Sequence, residues 1–334
     1  MIPFSVLDLS PICDGASVAD ALENTRRMAI AAEEAGYKRF WLAEHHGTGG
    51  VASAATSLVI AHVGHATQRI RIGSGGIMLP NHAPYVIAEQ FGTLAALFPG
   101  RVDLGLGRAP GTDMATARAL RRDLQAASER FPNDIMELKT YLGPRQPDQR
   151  VIAVPGMDSQ VPIWILGSSL YSAHLAAALG LPYAFASHFA PDQLFEAIHI
   201  YRDRFEPSEQ LDQPYVIAGV MGAIADTDEE ANYLFTSAQQ QFINLRRGRP
   251  GKFPAPVHSM DDYWSPMERT MVEHTLQFSV VGSKATAAAK LARFVKDAEA
   301  DEIIISFPIY DIEKRLAAVR SFASLDLFER AAAA

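Results

Sequence analysis

The sequence predicts an α/β protein built as a single (β/α)8 barrel, or TIM barrel, with insertions after the fourth and seventh strands. Short apolar runs alternate eight times with longer stretches of helical periodicity, and parallel neighbouring strands need such long crossovers. The length of 334 residues suits a barrel of about 250 residues that carries insertions. The first strand runs into Asp8-Leu9-Ser10-Pro11, which lacks the glycine fingerprint of an open dinucleotide-binding sheet. The barrel is therefore favoured over the open doubly wound sheet.

The first four units follow one another without interruption. Each predicted strand is a short apolar run, and each predicted helix repeats apolar residues every three to four positions. Gly36 stops the first helix, and Pro99-Gly100 stops the third. The predicted strands cover residues 4–9, 39–43, 70–79 and 102–106, and the predicted helices cover residues 18–35, 53–66, 84–97 and 112–142.

The second half keeps the alternation but contains both insertions. Residues 143–160 predict a loop or a short hairpin, and residues 246–265, rich in Pro, Gly and Arg, predict a second insertion with more helix after it. The predicted strands cover residues 163–166, 183–186, 215–225 and 302–306, and the predicted helices cover residues 170–179, 191–205, 228 to about 244, and 312–328. The whole chain, residues 1–334, is expected to form one domain.

Composition and charge exclude several classes of protein. The net charge of −8 and the pI of about 5.7 argue against a general nucleic-acid binder, which carries a basic face. Cys13 is the only cysteine, so an internal disulfide and a cysteine metal site are excluded. The N-terminus lacks the basic start of a signal peptide, and no apolar run reaches the roughly 20 residues that cross a bilayer. We expect a cytoplasmic protein that does not bind membranes.

The end of the second strand carries three ionisable residues in a row, Glu44, His45 and His46. Functional groups of such barrels lie where strands end. A metal site is disfavoured because adjacent ligands chelate one ion poorly and no third His or Asp stands at a helpful spacing. A structural role, with one histidine capping the next helix and Glu44 paired with an arginine, stays open. The favoured interpretation is a histidine that takes part in catalysis or contacts a cofactor.

The third strand contains Gly73, Gly75 and Gly76. Glycine weakens a strand and marks a bulge or a close approach of another backbone or a ligand. Two interpretations stay open here. Either a flat or bulky ligand lies against the strand, or the barrel has a corner with unusual dihedral angles.

The ends of the fourth and fifth strands predict an anion site. Arg108 stands among small residues, and arginine suits forked recognition of phosphate. The next strand ends in Gly167, Ser168 and Ser169, with Ser172 in the first turn of the following helix. Serine at this position is also typical of simple N-capping. Three serines and a glycine beside an arginine favour a phosphate site at a helix N-terminus.

Three further histidines have less specific surroundings. His188 follows the sixth strand, and there it either lines a pocket or caps the next helix. His62 and His65 lie three positions apart on a predicted helix, where a solvated face is the favoured interpretation.

Together these strand ends resemble the bacterial luciferase-like, flavin-dependent monooxygenase family. Order and spacing match over roughly the first 110 residues, and the resemblance covers most of the chain. The segments Asn81-His82-Ala83-Pro84 and 180–186 look close to an uncharacterised bacterial subgroup labelled luciferase-like oxidoreductase. The matching segments are Trp41-Leu42-Ala43-Glu44-His45-His46, residues 73–80, Glu89-Gln90, residues 99–108 and residues 166–173.

This resemblance implies an enzyme that uses reduced FMN and O₂ to insert one oxygen atom into a small organic substrate. His45 would be the catalytic residue, with Glu44 and His46 in support. Gly75-Gly76 would match a non-proline cis peptide that lies against the flavin ring. The flavin phosphate would be held by the remaining matching positions, Arg108, Gly167, Ser168, Ser169 and Ser172. A homodimer is expected, and a separate flavin reductase would supply reduced FMN, since no dinucleotide fingerprint is visible.

Departures from the family pattern limit these expectations. The light-emitting luciferase has a reactive cysteine where this chain has Gly107, so light emission is not implied. Residues 246–265 fall where the family places a mobile lid, and Arg246, Arg247 and Arg249 would help it exclude water. Enzymes that use the deazaflavin F420 share the fold, so hydride transfer linked to F420 or NAD(P) stays as the alternative function.

Overall fold

The computed structural model describes residues 1–109, 114–120, 124–329 and 331. No helix in these ranges is long and apolar enough to cross a membrane. The strands are β1 (Ile2–Asp8), β2 (Arg39–Leu42), β3 (Arg71–Met78), β4 (Val102–Gly107), β5 (Ile163–Gly167), β6 (Tyr183–Phe185), β7 (Val216–Ile224), β8 (Val280–Gly282), β9 (Glu302–Ser306) and β10 (Phe328–Glu329). The helices are α1 (Val18–Ala35), α2 (Thr56–His65), α3 (Pro84–Leu97), α4 (Met114–Ala119), α5 (Leu124–Leu142), α6 (Leu170–Ala178), α7 (Leu194–Asp203), α8 (Asp228–Arg246), α9 (Pro266–Thr275), α10 (Lys284–Ala298) and α11 (Ile312–Phe322).

Strands β1 to β7 and β9 close into a parallel barrel, which confirms the predicted fold. Each of β1 to β7 pairs with the next strand, and β9 pairs with both β1 and β7. Val6 of β1 lies in register with Phe40 of β2 on one side and with Ile305 of β9 on the other. Because all eight strands run in the same direction, their carboxyl ends meet at one rim of the barrel, the mouth.

Two short strands depart from the predicted order. Strand β8, in the stretch expected to be helical, pairs with the end of β7, where Gly222 matches Val280. Strand β10 pairs with the start of β1, so the expected helix over residues 312–328 ends at Phe322. The ring of Phe328 lies 5.0 Å from that of Phe4, and this apolar contact holds β10 on the barrel. Strands of two or three residues are too short to show a sequence period.

The insertion after β4 also differs in detail. The helix expected over residues 112–142 is divided into α4 and α5, while residues 110–113 and 121–123 lie outside the described ranges. Residues 143–162 contain no strand or helix, so the loop interpretation is confirmed and the hairpin is wrong.

Helix α1 shows how the local sequence sets the element boundaries. Ser17 and Asp20 form a reciprocal capping box at its start, which satisfies free backbone N–H groups. Gly36 ends it in a left-handed conformation with φ of 89°, which glycine adopts without steric cost. Met28 and Ala32 are fully buried on the apolar face that packs on the barrel.

The interior of the barrel is layered from its amino end to its mouth. At the base, Arg39 of β2 forms buried ion pairs with Asp103 of β4 and Glu302 of β9. Above this layer, Trp41 and Trp164 meet edge to face with ring centroids 5.2 Å apart. Residues alternate along a strand, so β2 directs residues 39, 41 and 43 inward. Continued alternation brings residue 45 to the mouth.

Candidate active site

A buried carboxylate joins the ends of two neighbouring strands at the mouth. Glu44 is 1% exposed, and its Oε1 lies 2.6 Å from Nε2 of His46 and 2.9 Å from Nε2 of His82. The backbone N–H of Met78 donates to its other oxygen over 3.0 Å, and the side-chain amide of Asn81 donates to Oε1. We call Glu44, His46 and His82 the rim triad. It fixes the end of β2 to the loop that follows β3.

The rim triad keeps Glu44 ionised. Burial opposes ionisation, but hydrogen bonds from His46 and His82 and the backbone N–H of Met78 outweigh it and lower the pKa of Glu44 to about 2. The alternative that the sequence left open, a Glu44 paired with an arginine, is wrong, because the two histidines, Asn81 and the backbone N–H of Met78 are its partners. The arrangement suits a carboxylate that positions its neighbours better than one that exchanges protons near neutral pH.

The rim triad also bears on the question of a metal. We expected no third ligand at a helpful spacing, but the fold brings in His82, and the ligand atoms of the three residues lie within 4.8 Å of one another. Each imidazole already uses Nε2 to bond the carboxylate, so the polar groups satisfy one another without an ion. The absence of a metal stays a prediction.

His45 lies between Glu44 and His46 in the chain, and its side chain has different surroundings. Its Nδ1 is buried and makes no hydrogen bond with the described residues. Burial lowers the pKa of His45, although the charge of Glu44 partly opposes this. The imidazole is therefore neutral near pH 7 and can donate or accept one proton. A buried nitrogen without a partner marks a place where a ligand or water completes the hydrogen bonding.

His188 is the counterpart of His45 on the other side of the mouth. The two residues follow β2 and β6, which stand four strands apart in the closed order of eight. Nδ1 of His188 is also buried without a partner among the described residues. Burial and the nearby His45 lower the pKa of His188 to about 4. Its ring lies so close to β7 that a Cβ on Gly219 would be 2.4 Å from Nδ1.

The glycines of β3 and β4, which we call the glycine wall, pack closely where these two strands approach the mouth. The peptide bond between Gly75 and Gly76 is cis, as the family resemblance implied. A Cβ on Gly76 would lie 2.7 Å from the carbonyl oxygen of Gly105, and a Cβ on Gly105 would lie 2.2 Å from that of Ser74. The close packing of the two strands therefore requires glycine at these positions. The pairing register also shifts between Ser74 and Ile77, so the barrel-corner interpretation accounts for these glycines without a ligand.

Arg108 and the serine turn after β5 lie next to each other at the rim. Arg108 is exposed, and its guanidinium stacks on the ring of Tyr171 with 4.0 Å between Cζ and the centroid. It forms no ion pair with any described residue. Ser169 is the N-cap residue of α6, but its side chain makes no capping hydrogen bond. Both Ser168 and Ser169 are half-buried. This corner thus combines hydroxyl groups at a helix N-terminus with a cation that has no ion-pair partner in the described part of the chain.

Ser172 lies behind that turn and serves its structure. It is 6% exposed, and its hydroxyl donates to the carbonyl oxygen of Ser169 and lies 3.0 Å from the hydroxyl of Tyr183. A Cβ on Gly167 would be 2.2 Å from Oγ of Ser172, so only glycine at residue 167 lets the Ser172 side chain lie this close to the backbone of β5. Contact of Ser172 and Gly167 with a cofactor stays a prediction.

The insertion over residues 246–265 is held on the His45 side of the mouth. Phe253 is 1% exposed, and its backbone N–H donates to the carbonyl oxygen of Ile12 in the loop after β1. A Cβ on Gly50, in the loop after β2, would lie 2.1 Å from the carbonyl oxygen of Gly251. The insertion therefore packs on the loops that follow β1 and β2. Its mobility as a lid stays a prediction.

Other expected side chains lie at the surface. His62 and His65 are exposed on α2, which confirms the solvated face. Arg247 of the insertion binds Glu268 of α9 over 2.7 Å.

Sequence reasoning missed the link between Glu44 and His82. The available signal was the position of His82 just beyond the end of β3, at the same rim as the end of β2. Periodicity does not reveal which strand ends become neighbours.

Comparison with known proteins adds independent findings. The sequence profile of the family described as luciferase-like monooxygenase matches residues 2–302. A luciferase-like monooxygenase of Escherichia coli (strain K12) is 50% identical over 315 residues, covering 94% of each chain. An N-acetyl-S-alkylcysteine monooxygenase of Bacillus subtilis (strain 168) is 32% identical over 326 residues, covering 95% of this chain and 96% of that one. The crystal structure of apo-MsnO8 superposes with a TM-score of 0.90 at 32% identity, covering 97% and 98% of the chains.

More distant solved structures share the fold and differ in cofactor. The oxygenating constituent of 3,6-diketocamphane monooxygenase of Pseudomonas putida, in complex with FMN, has a TM-score of 0.71 at 16% identity, with 97% of each chain covered. An F420-dependent secondary alcohol dehydrogenase has a TM-score of 0.64 at 14% identity, with 97% and 99% covered. The fold alone therefore does not select the cofactor.

Proposed function

The chain belongs to the luciferase-like monooxygenase family, and we propose that it is a flavin-dependent enzyme that uses reduced FMN and O₂ to oxygenate a small organic substrate. The observation that carries this proposal is the meeting, at one rim, of three features: a half-buried histidine that is neutral near pH 7, the glycine wall, and an arginine that has no ion-pair partner among the described residues and lies beside a serine turn. These features match the three parts of a flavin nucleotide site: the reactive group, the ring and the phosphate.

The residues present fit FMN. Arg108 stacks on Tyr171 and pairs with no acidic side chain of the described residues, so we propose that its guanidinium binds the phosphate in forked geometry. Ser168 and Ser169, next to the start of α6, add hydroxyl and backbone donors. The wall of β3 and β4 presents Gly75 and Gly76 to a flat ring. Ser172 and Gly167 shape the turn in this proposal.

Each residue near His45 has a defined task. When bound, reduced FMN supplies the electrons for the activation of O₂. His45 is neutral near pH 7, and its Nδ1 has no partner among the described residues; it holds or accepts a proton at the reacting group. Glu44 positions His45 by fixing the rim on both sides of it. The insertion over residues 246–265 covers this side of the mouth and excludes water, which protects reactive species.

Two partners follow from the same proposal. A separate reductase supplies reduced FMN, because the first βα turn has no dinucleotide fingerprint. A second copy of the chain covers the apolar side chains of the neighbouring helices α2 and α3, where Leu58 is 71%, Leu97 52% and Val86 42% exposed. Light scattering during size-exclusion chromatography should give a dimer mass, and Leu58→Glu should shift it towards the monomer.

The decisive experiment is a cofactor titration followed by turnover. The fluorescence of FMN is expected to fall when the protein binds it. In the turnover experiment, chemically reduced FMN with O₂ is expected to yield a product one oxygen atom heavier than its substrate. The alternative, hydride transfer linked to F420 or NAD(P), requires tight F420 or nicotinamide binding and a product without added oxygen. Preferential binding of F420 together with ¹⁸O₂-independent turnover would replace the proposal by this alternative.

A further inference from the structure

The mouth of the barrel has two chemically different sides. The side formed by β3, β4 and β5 carries the glycine wall, Arg108 and the serine turn. The side formed by β6, β7 and β9 contains no Asp, Glu, Lys or Arg in residues 186–190, 216–224 or 306–310. A charged group that enters this second side finds no counter-ion in these segments, and the burial of an unpaired charge is costly.

His188 is the main polar side chain of the uncharged side. Ser187 is buried and donates its hydroxyl to the carbonyl oxygen of Gly219 over 2.6 Å, which ties the end of β6 to β7. Gly219 and Ile217 lie two positions apart on β7 and so face the same side, the barrel interior, where Ile217 packs with Trp41 and Trp164. Because Gly219 has no side chain, space is left inside the mouth.

The ring of His188 occupies that space. Its Nδ1 lies over Gly219, towards β7 and away from β5, and remains without a partner among the described residues. The ring edge also packs against Phe189, with centroids 4.8 Å apart. Packing thus turns the imidazole towards β7 and away from β5, which carries the serine turn of the proposed phosphate corner.

Resting on the proposed function, we propose that the side formed by β6, β7 and β9 is a substrate subsite. It takes an uncharged organic molecule with a carbonyl or ether oxygen, and His188 donates a hydrogen bond to that oxygen. A neutral imidazole carries one N–H, so it satisfies one acceptor without the need for a counter-charge. A carboxylate of the same size is excluded because it loses its hydration without gaining a cation.

The test compares two matched probes, 2-octanone and octanoate, on the whole protein with and without FMN. Ligand-observed NMR titration should give a dissociation constant for 2-octanone at least about tenfold below that for octanoate. His188→Phe removes the donor but keeps an aromatic ring, and should raise the 2-octanone constant by about 3- to 10-fold. Gly219→Ala should do the same, because its Cβ would displace the ring.

Two controls separate this inference from general damage. His199 is exposed on α7, and His199→Phe should leave both constants unchanged. His188→Gln restores an N–H donor and should recover part of the affinity, which also keeps the test decisive if His188→Phe does not fold. The FMN dissociation constant should stay within about twofold in every variant.

The outcomes distinguish this inference from the proposed function. No binding of 2-octanone to the wild-type protein, octanoate binding as tightly, or an unchanged ketone affinity in folded His188→Phe overturns the subsite. A parallel loss of FMN affinity in that variant also overturns it, since His188 would then belong to the flavin site. Failure of the wild-type protein to bind FMN, with ketone binding still dependent on His188, would sink the proposed function and leave the subsite standing.

Discussion

Oxygen Oε1 of Glu44 lies 2.9 Å from Nε2 of His82, a residue 38 positions further along the chain. The contact joins the end of β2 to the loop after β3, and it holds His45 between two anchored neighbours. A carboxylate that accepts several hydrogen bonds in a buried site is costly to protonate. The relationship therefore predicts a measurable dependence of stability on pH.

Glu44→Gln should remove a stabilisation that depends on pH. The pKa of Glu44 is about 2 in the folded protein, below its ordinary 4.5, so its contribution is complete above about pH 4.5 and is lost as the pH falls towards 2. The shift corresponds to a contribution on the order of 3 kcal/mol. Thermal unfolding between pH 2.5 and 7 should show wild type and variant diverging as the pH rises. A difference that stays constant over this range, or one equalled by the exposed control Glu34→Gln, would contradict the role of the rim triad.

His45→Asn should greatly lower turnover while leaving FMN binding intact. Loss of a positioned acid or base typically lowers kcat by about 10²- to 10⁴-fold. Burial lowers the pKa of His45, so the neutral form prevails at pH 7 and activity should fall only on the acid side, below the ordinary value of about 6.5. Turnover measured under saturating reduced FMN checks the loss of activity, and an FMN titration checks that binding is unchanged. Unchanged turnover in the variant would remove His45 from the chemistry.

Arg108→Ala should weaken FMN binding and spare riboflavin, which lacks the phosphate. Charge-assisted hydrogen bonds contribute about 1.5–3 kcal/mol, so the FMN dissociation constant should rise by about 10- to 100-fold. Fluorescence titration of both ligands with the variant and with Arg145→Ala, an exposed arginine in the loop after α5, gives the comparison. Equal losses for FMN and riboflavin would place Arg108 away from the phosphate.

Gly105→Ala should destabilise the barrel, whether or not a flavin binds. Its Cβ would lie 2.2 Å from the carbonyl oxygen of Ser74, whereas a Cβ on Gly49 meets nothing within 4 Å. Overpacking costs about 1–3 kcal/mol and more against backbone, while Gly49→Ala should stay within about 0.5 kcal/mol of wild type. Chemical denaturation of the proteins without flavin measures both. Equal stability of the two variants would mean that β3 and β4 separate easily.

Arg39→Met should be far more damaging than Arg26→Gln. Arg39 is buried between Asp103 and Glu302, and removal of one partner from such a network costs about 3–5 kcal/mol. Arg26 pairs with Glu23 at the surface, where a salt bridge contributes about 0–1 kcal/mol. The expected fall in Tm is about 6–10 °C for Arg39→Met and close to zero for Arg26→Gln, by calorimetry. Similar Tm values would show that the base layer tolerates an unpaired charge.

The alternation of strands and helices could be predicted from sequence because it is a local property. The spacing of apolar residues within β1 and α1 shows which side chains of each segment face the core. The cap residues Ser17 and Gly36 act over one helical turn. The short strands β8 and β10 could not be predicted, because they exist only through pairing with β7 and β1. Their stability comes from partners far away in the chain.

By itself, the sequence determined the eight-fold barrel and the rim positions of His45, Gly75-Gly76 and Arg108. Hydrophobic periodicity and the ends of strands depend only on residues that are close together in the sequence. Only the tertiary structure decided that His82 completes the rim triad and that His188 faces the mouth over Gly219. It also decided that Ser172 bonds inward to Ser169. These relations depend on barrel closure, which brings the ends of distant strands within hydrogen-bonding distance of one another.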